Sequence, residues 1–283
     1  MEYTALNNGI KMPMAGLGTF QLSPDEAENS VLHALESGYN LIDTANAYMN
    51  ERGVGRGIRR SGVKREDIFL VTKLWPTEYA DGAKAIDDTL ERLGTDYLDL
   101  LLLHQPVGDW IAGYKAMEEA LEAGKIRALG LSNFTEENIR EVMEKCSVVP
   151  QVVQVEAHPY YPQTSLKAFM SERGMRLMAW YPLGHGDRSL LDEPVFARLA
   201  AKYGKNSAQV ILRWHVQSGN IVIPGSRSPE HIKSNLNIFD FALSGDEMAE
   251  IAALDSGTRY YNVDPRQAAR MYLSMNLDFN SQK

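Results

Sequence analysis

Eight short apolar runs punctuate this chain, and the stretches between them carry helical periodicity. The runs are Met14–Thr19, Tyr39–Asp43, Ile68–Lys73, Leu98–His104, Ile126–Ser132, Val149–Glu156, Arg176–Trp180 and Ile221–Pro224. Strands that alternate with helices pair in parallel, because each helix returns the chain to the start of the next strand. Eight such units in 283 residues predict an α/β fold, a closed (β/α)8 TIM barrel forming one domain over 1–283. An open doubly wound sheet is the alternative, but no Gly-x-Gly-x-x-Gly follows the first strand.

Local signals agree with this alternation. Tyr3–Leu6 and Ile10–Met12 flank Asn7-Asn8-Gly9, which predicts a hairpin ahead of the barrel. Ser23-Pro24-Asp25-Glu26 reads as a capping box with proline at the first helical position, and Ala27, Val31 and Leu35 share one face. Ala83, Ile86, Leu90 and Leu93 make a second apolar stripe. Thr135 caps a helix whose buried face is Ile139, Val142 and Met143. Ser228-Pro229 opens a helix directly after the eighth strand. Ser244–Leu254 and Asp264–Leu273 predict extra C-terminal helices, outside the barrel or over its mouth.

Charge and composition narrow the partners. A net charge of −8 argues against nucleic acid. No apolar run approaches the roughly 20 residues that cross a bilayer, and the N-terminus shows no signal peptide. The one cysteine, Cys146, can form no internal disulfide, which fits a cytoplasmic protein. A monomer is the default expectation.

Three successive strands end on an ionisable residue: Asp43, Lys73 and His104. In a parallel barrel those ends converge on one face, and active sites lie there. Tyr48 follows Asp43 by five residues in the same loop. A phenol ordinarily titrates near about 10, and a neighbouring ammonium favours the phenolate. Lys73 supplies that charge, Asp43 neutralises and holds Lys73, and His104 orients an oxygen. The set lacks a convincing nucleophile. It suits protonation of an oxygen that gains charge as a carbonyl receives hydride.

These residues sit in segments that resemble the aldo-keto reductase family, from the hairpin to about residue 255. Gly38-Tyr39-Asn40-Leu41-Ile42-Asp43-Thr44-Ala45, with Tyr48 and Asn50-Glu51, is similar to that family's first motif. Gly124-Lys125-Ile126-Arg127-Ala128-Leu129-Gly130-Leu131-Ser132-Asn133-Phe134 is similar to its second. The resemblance implies a barrel whose N-terminal hairpin closes the bottom, and reduction of small-molecule aldehydes or ketones with NADPH, less often NADH. It implies Tyr48 as proton donor, Lys73 and Asp43 as its tuning pair, and His104 as the orienting group. Cofactor binds first and no metal is needed.

The resemblance also assigns a cofactor site. Ser132, Asn133 and Gln154 match the partners of the nicotinamide carboxamide, and Trp180 matches the stacking aromatic. Tryptophan there is similar to the bacterial branch that includes diketogluconate reductases. Leu183, Gly184 and Gly186 match the loop along the pyrophosphate, where glycine permits close backbone approach. After the eighth strand the family usually carries Ile-Pro-Lys-Ser and, six residues beyond the Lys, an Arg. This chain has Gly225-Ser226 and His231, so both cations for a 2′-phosphate are missing. Arg227 is a possible substitute, and Ser226 with the helix opened by Ser228 offers an anion site. Asn235 completes the implied cofactor set. The expectation is use of both cofactors, or a lean toward NADH.

Phe20, Trp75 and Trp110 either line the substrate pocket or simply pack. Gln105 and Val153 replace residues the family often has as Trp and Asn, so the substrate is left open. His158 is read as structural. Two other functions compete. A metal-dependent hydrolase would use Asp43 and His104 but needs several more ligands, and no His-x-His or His-x-x-Glu-His pattern occurs. A barrel that binds cofactor for a regulatory or redox-sensing role would have little use for an intact Asp43, Tyr48, Lys73 and His104.

Overall fold

The computed structural model describes residues 1–282. A two-stranded antiparallel hairpin, β1 (Tyr3–Ala5) and β2 (Lys11–Pro13), comes first. Eight parallel strands follow: β3 (Leu17–Gly18), β4 (Leu41–Asp43), β5 (Phe69–Leu74), β6 (Leu100–Leu103), β7 (Leu129–Ser132), β8 (Val152–Glu156), β9 (Arg176–Trp180) and β10 (Ile221–Val222). They hydrogen-bond in chain order. The ends meet where Gly16 N–H donates to Val222 O (2.9 Å) and Val222 N–H to Met14 O (3.0 Å), so the sheet closes as expected. Gly18 is needed at that seam, because a Cβ there would lie 2.7 Å from the Ile223 carbonyl oxygen.

Helices α1 (Pro24–Glu36), α2 (Glu51–Ser61), α3 (Gly82–Leu93), α4 (Trp110–Glu122), α5 (Glu136–Lys145) and α6 (Thr164–Ser171) link successive strands. Between β9 and β10 run α7 (Arg188–Leu191), α8 (Pro194–Tyr203) and α9 (Ser207–Gln217). After β10 come α10 (Pro229–Leu236), α11 (Gly245–Ala252) and α12 (Pro265–Ser274). Ser23 and Glu26 form the expected capping box of α1, and Thr135 caps α5. One helix face differs from the sequence pattern. Ala83 is exposed and Ala85 is buried, because the face of α3 that meets the barrel runs through Gly82, Ala85, Ile86, Thr89, Leu90 and Leu93.

Side-chain alternation separates two cores. Ile42, Leu70, Leu101, Leu103, Leu129, Leu131 and Val153 face the helices. Leu41, Phe69, Val71, Leu100, Leu102, Ala128, Val152 and Met178 fill the barrel. Leu6 and Met12 of the hairpin region join this inner cluster, and Met12 has no exposed surface. They plug the end where Leu41, Phe69 and Leu100 begin their strands. The strands' period of two then dictates what stands at the other end. Counting on from the inner residues reaches Asp43, Lys73, His104, Ser132, Gln154 and Trp180.

Candidate active site

Asp43 and Lys73 are 1% and 0% exposed, so neither charge is relieved by water. They satisfy each other: the Lys73 ammonium lies 2.7 Å from Asp43 Oδ1. Lys73 Nζ also donates to the Thr44 carbonyl (2.8 Å) and to the Tyr48 hydroxyl (3.2 Å). A helical turn at Asn46–Tyr48 folds the phenol back toward the barrel axis. Asn50 pins that loop by accepting from Thr44 Oγ1 and donating to the Thr19 and Leu22 carbonyls, each at 2.9 Å. His104 stands edge-on to Tyr48, with ring centroids 5.6 Å apart. The four predicted residues are therefore one contiguous group.

Their electrostatics differ from the sequence expectation in one respect. Burial pushes the Tyr48 phenol well above its ordinary range, and the Asp43 charge adds to the effect. The expected acidification by Lys73 does not prevail, because desolvation of a phenolate outweighs one ammonium that Asp43 already neutralises. Burial also lowers Lys73, against the pull of Asp43, and raises Asp43, against the pull of Lys73. His104 is driven well below its ordinary value by burial and by Lys73, so the imidazole is neutral. Tyr48 thus holds its proton through the physiological range, with a buried cation placed to stabilise the phenolate once that proton leaves.

The residues assigned to the cofactor gather at the same mouth. Ser132 and Gln154 are 1% exposed. Asn133 adopts φ 67°, a backbone that asparagine tolerates, and donates to the His104 carbonyl (3.1 Å) and Ser132 Oγ (3.3 Å). Its Oδ1 accepts from the indole N–H of half-buried Trp180 (2.9 Å), which fixes that ring's edge. Leu183, Gly184 and Gly186 follow in the next loop, the glycines at φ 59° and 78°. A fixed aromatic ring beside a hydroxyl and two amides fits a nicotinamide and its carboxamide, which would be held by Trp180, Ser132, Asn133 and Gln154.

The adenosine end is less furnished. Gly225 and His231 are exposed, Ser226 is half-buried and bonded to Ser228, and Asn235 is buried in α10. Arg227 is exposed and pairs with Glu26 at 3.2 Å.

The substrate candidates divide. Trp75 is buried with its ring 5.1 Å from His104, and Phe20 is half-exposed 5.0 Å from Tyr48. Trp110 stands edge-on to Phe134 with ring centroids 6.1 Å apart, among the residues packed against the outer core. Tyr272 and Phe279, from the C-terminal segment, pack with Trp75 and Val107, and the Tyr272 carbonyl accepts the Trp75 indole N–H (3.2 Å). Tyr261 stands 6.1 Å from Trp180. Sequence periodicity marks none of these tail contacts, since each joins residues far apart in the chain. His158 pairs with buried Glu156 at 3.1 Å. Among the described residues, no group of three or more His, Cys, Asp or Glu could hold a metal ion. No helix among them is long and apolar enough to cross a membrane.

Comparison with known proteins gives a consistent set. A model of the Aldo/keto reductase family matches residues 14–256. The chain is 45% identical to morphine 6-dehydrogenase of Pseudomonas putida over 277 residues, 92% of this chain and 93% of that one. It is 39% identical to methylglyoxal reductase DkgA of Escherichia coli (strain K12), covering 93% and 96%. Among solved structures, an aldo-keto reductase of Bombyx mori in complex with NADP superposes with a TM-score of 0.87 at 32% identity, covering 93% and 95%.

Proposed function

This chain belongs to the aldo/keto reductase family and is an NAD(P)H-dependent carbonyl-reducing enzyme; from that premise we propose that Tyr48 is its proton donor. A nicotinamide held by Trp180, Ser132, Asn133 and Gln154 would supply the hydride. The neutral His104 imidazole hydrogen-bonds and orients the substrate oxygen. Tyr48 gives its proton to that oxygen as negative charge builds there. An alkoxide is much more basic than even a raised phenolate, so the transfer runs downhill. Lys73, 3.2 Å from the phenol oxygen, stabilises the phenolate, and Asp43 keeps Lys73 charged and in place.

The single supporting observation is the Tyr48–Lys73–Asp43 chain of contacts beside His104. Tyr48→Phe tests it. The variant should lose turnover while a nicotinamide dinucleotide still quenches tryptophan fluorescence through Trp180. Retention of most activity would remove the assignment.

We also propose use of both NADH and NADPH. Gly225 and His231 leave a 2′-phosphate without its fixed cations, and Arg227 must release Glu26 before it can serve. Phe20 and Trp75, beside Tyr48 and His104, line the carbonyl substrate's pocket on this reading. A cytoplasmic, monomeric enzyme fits a lone Cys146 whose half-exposed thiol burial pushes up to about 11, too high for ready oxidation.

A further inference from the structure

The segment that follows α12 ends, among the described residues, in polar contacts with the loop that carries Tyr48. Gln282 is 7% exposed. Its Oε1 accepts the backbone N–H of Glu51 (2.8 Å), and its Nε2 donates to the Asn46 carbonyl (3.4 Å). Those two backbone groups bracket Tyr48, two residues before it and three after. From them we infer that Gln282 is a positioning residue for the proton donor. The inference rests on the reading of Tyr48 as that donor.

The need for such a residue follows from helix ends. Glu51 opens α2, so its N–H has no partner inside the helix. The residue before it, Asn50, has a side chain suited to capping but makes no cap bond. Its amide is already spent on Thr44, Thr19 and Leu22. Glu51 has no exposed surface, so water cannot replace the missing acceptor. Gln282 supplies it from 231 residues away. In effect the cap of α2 is provided by the C-terminal segment.

A second contact holds that segment in register. Arg92, with its side chain fully buried, donates to Glu51 Oε2 (2.6 Å) and to Asn280 Oδ1 (2.9 Å). Glu51 Oε1 meanwhile accepts from Thr72 Oγ1 (2.6 Å), on the strand residue next to Lys73. Phe279 packs beside Trp75 and Tyr272. A tail that only lined the substrate pocket would require the Phe279 contact and nothing from Gln282.

Loss of Gln282 should therefore act on chemistry rather than on substrate affinity. Gln282→Ala leaves a buried N–H unpaired and frees the turn at Asn46–Tyr48, at a cost of about one hydrogen bond. We expect kcat to fall about tenfold with KM little changed. Proton transfer should become more rate-limiting, so the solvent deuterium isotope effect on kcat should rise. The midpoint of the dinucleotide-induced fluorescence quench should stay put, and Asn276→Ala, at an exposed position of the same tail, should keep kcat. A raised KM with unchanged kcat would overturn the inference and make the tail a pocket wall. A fall in kcat with an unchanged isotope effect, or with a shifted quench midpoint, would overturn it as well. The outcome is independent of Tyr48→Phe. Turnover by that variant would remove the premise, whereas a null result for Gln282→Ala alone would remove only this step.

Discussion

Gln154 donates its side-chain amide to Asp43 Oδ2 across 2.8 Å, so the residue assigned to the nicotinamide also steadies the acid that holds Lys73. Cofactor binding and acid tuning are joined by that one bond. Gln154→Ala should weaken dinucleotide binding about tenfold and lower kcat together, a loss of about 1.4 kcal/mol in each. Gln154→Glu should be worse, since two carboxylates at that separation force a proton onto one of them. Fluorescence titration and steady-state kinetics measure the two effects. Unequal losses, with kcat spared in both variants, would show that the bond carries no tuning.

Removing the charge of Asp43 has a definite sign. Burial lowers Lys73, and Asp43 is the chief influence raising it. Asp43→Asn lets Lys73 fall further, so it sheds its proton at a lower pH. Activity that depends on the charged ammonium is present below that point and lost as pH rises through it. The alkaline limb of the kcat profile should therefore move to lower pH, with kcat at neutrality down by about a hundredfold or more. An alkaline limb that stays in place would show that Lys73 need not be charged.

Cofactor choice should respond to two surface positions. Gly225→Lys with His231→Arg restores cations where the family usually has them; both positions are exposed, and a Cβ at 225 would meet the Gly18 carbonyl oxygen at 3.1 Å, so the seam must give by a few tenths of an ångström. Preference for NADPH over NADH, as the ratio of kcat/KM values, should rise at least about tenfold, in line with one or two charge-assisted hydrogen bonds of about 1.5–3 kcal/mol. In the unaltered chain that ratio should stay below a hundredfold. A larger native preference would mean that Arg227 leaves Glu26 readily.

Met12 tests the plug. Truncation to alanine removes a fully buried side chain from a cluster that cannot collapse around it, because strand backbones surround the gap. Met12→Ala should cost about 2–5 kcal/mol in urea unfolding. Activity at temperatures where the variant is folded should survive, as Met12 lies at the end of the barrel opposite Tyr48.

The alternation of strands and helices was legible because burial imposes a period of two on every strand, and the same parity carries Asp43, Lys73 and His104 into the mouth. Ser132 and Asn133 were legible through the likeness of their segment to the family's second motif. The first residue of the α3 face was misjudged, since Ala83 and Ala85 are equally apolar and only the packed neighbour decides between them. The direction of the Tyr48 shift was misjudged because a sequence shows which charges are nearby but not how completely water is excluded. Gln282 was invisible: a glutamine near the end of a chain has no periodicity, and its partners are more than 200 residues away.

With Leu6 and Met12 shutting the floor, the cylinder has one doorway. On the proposed reading, dinucleotide and carbonyl compound both enter by the face that carries Tyr48, Ser132 and Gln154. A short ribbon far from any reacting atom thereby confines the chemistry to one side of the sheet.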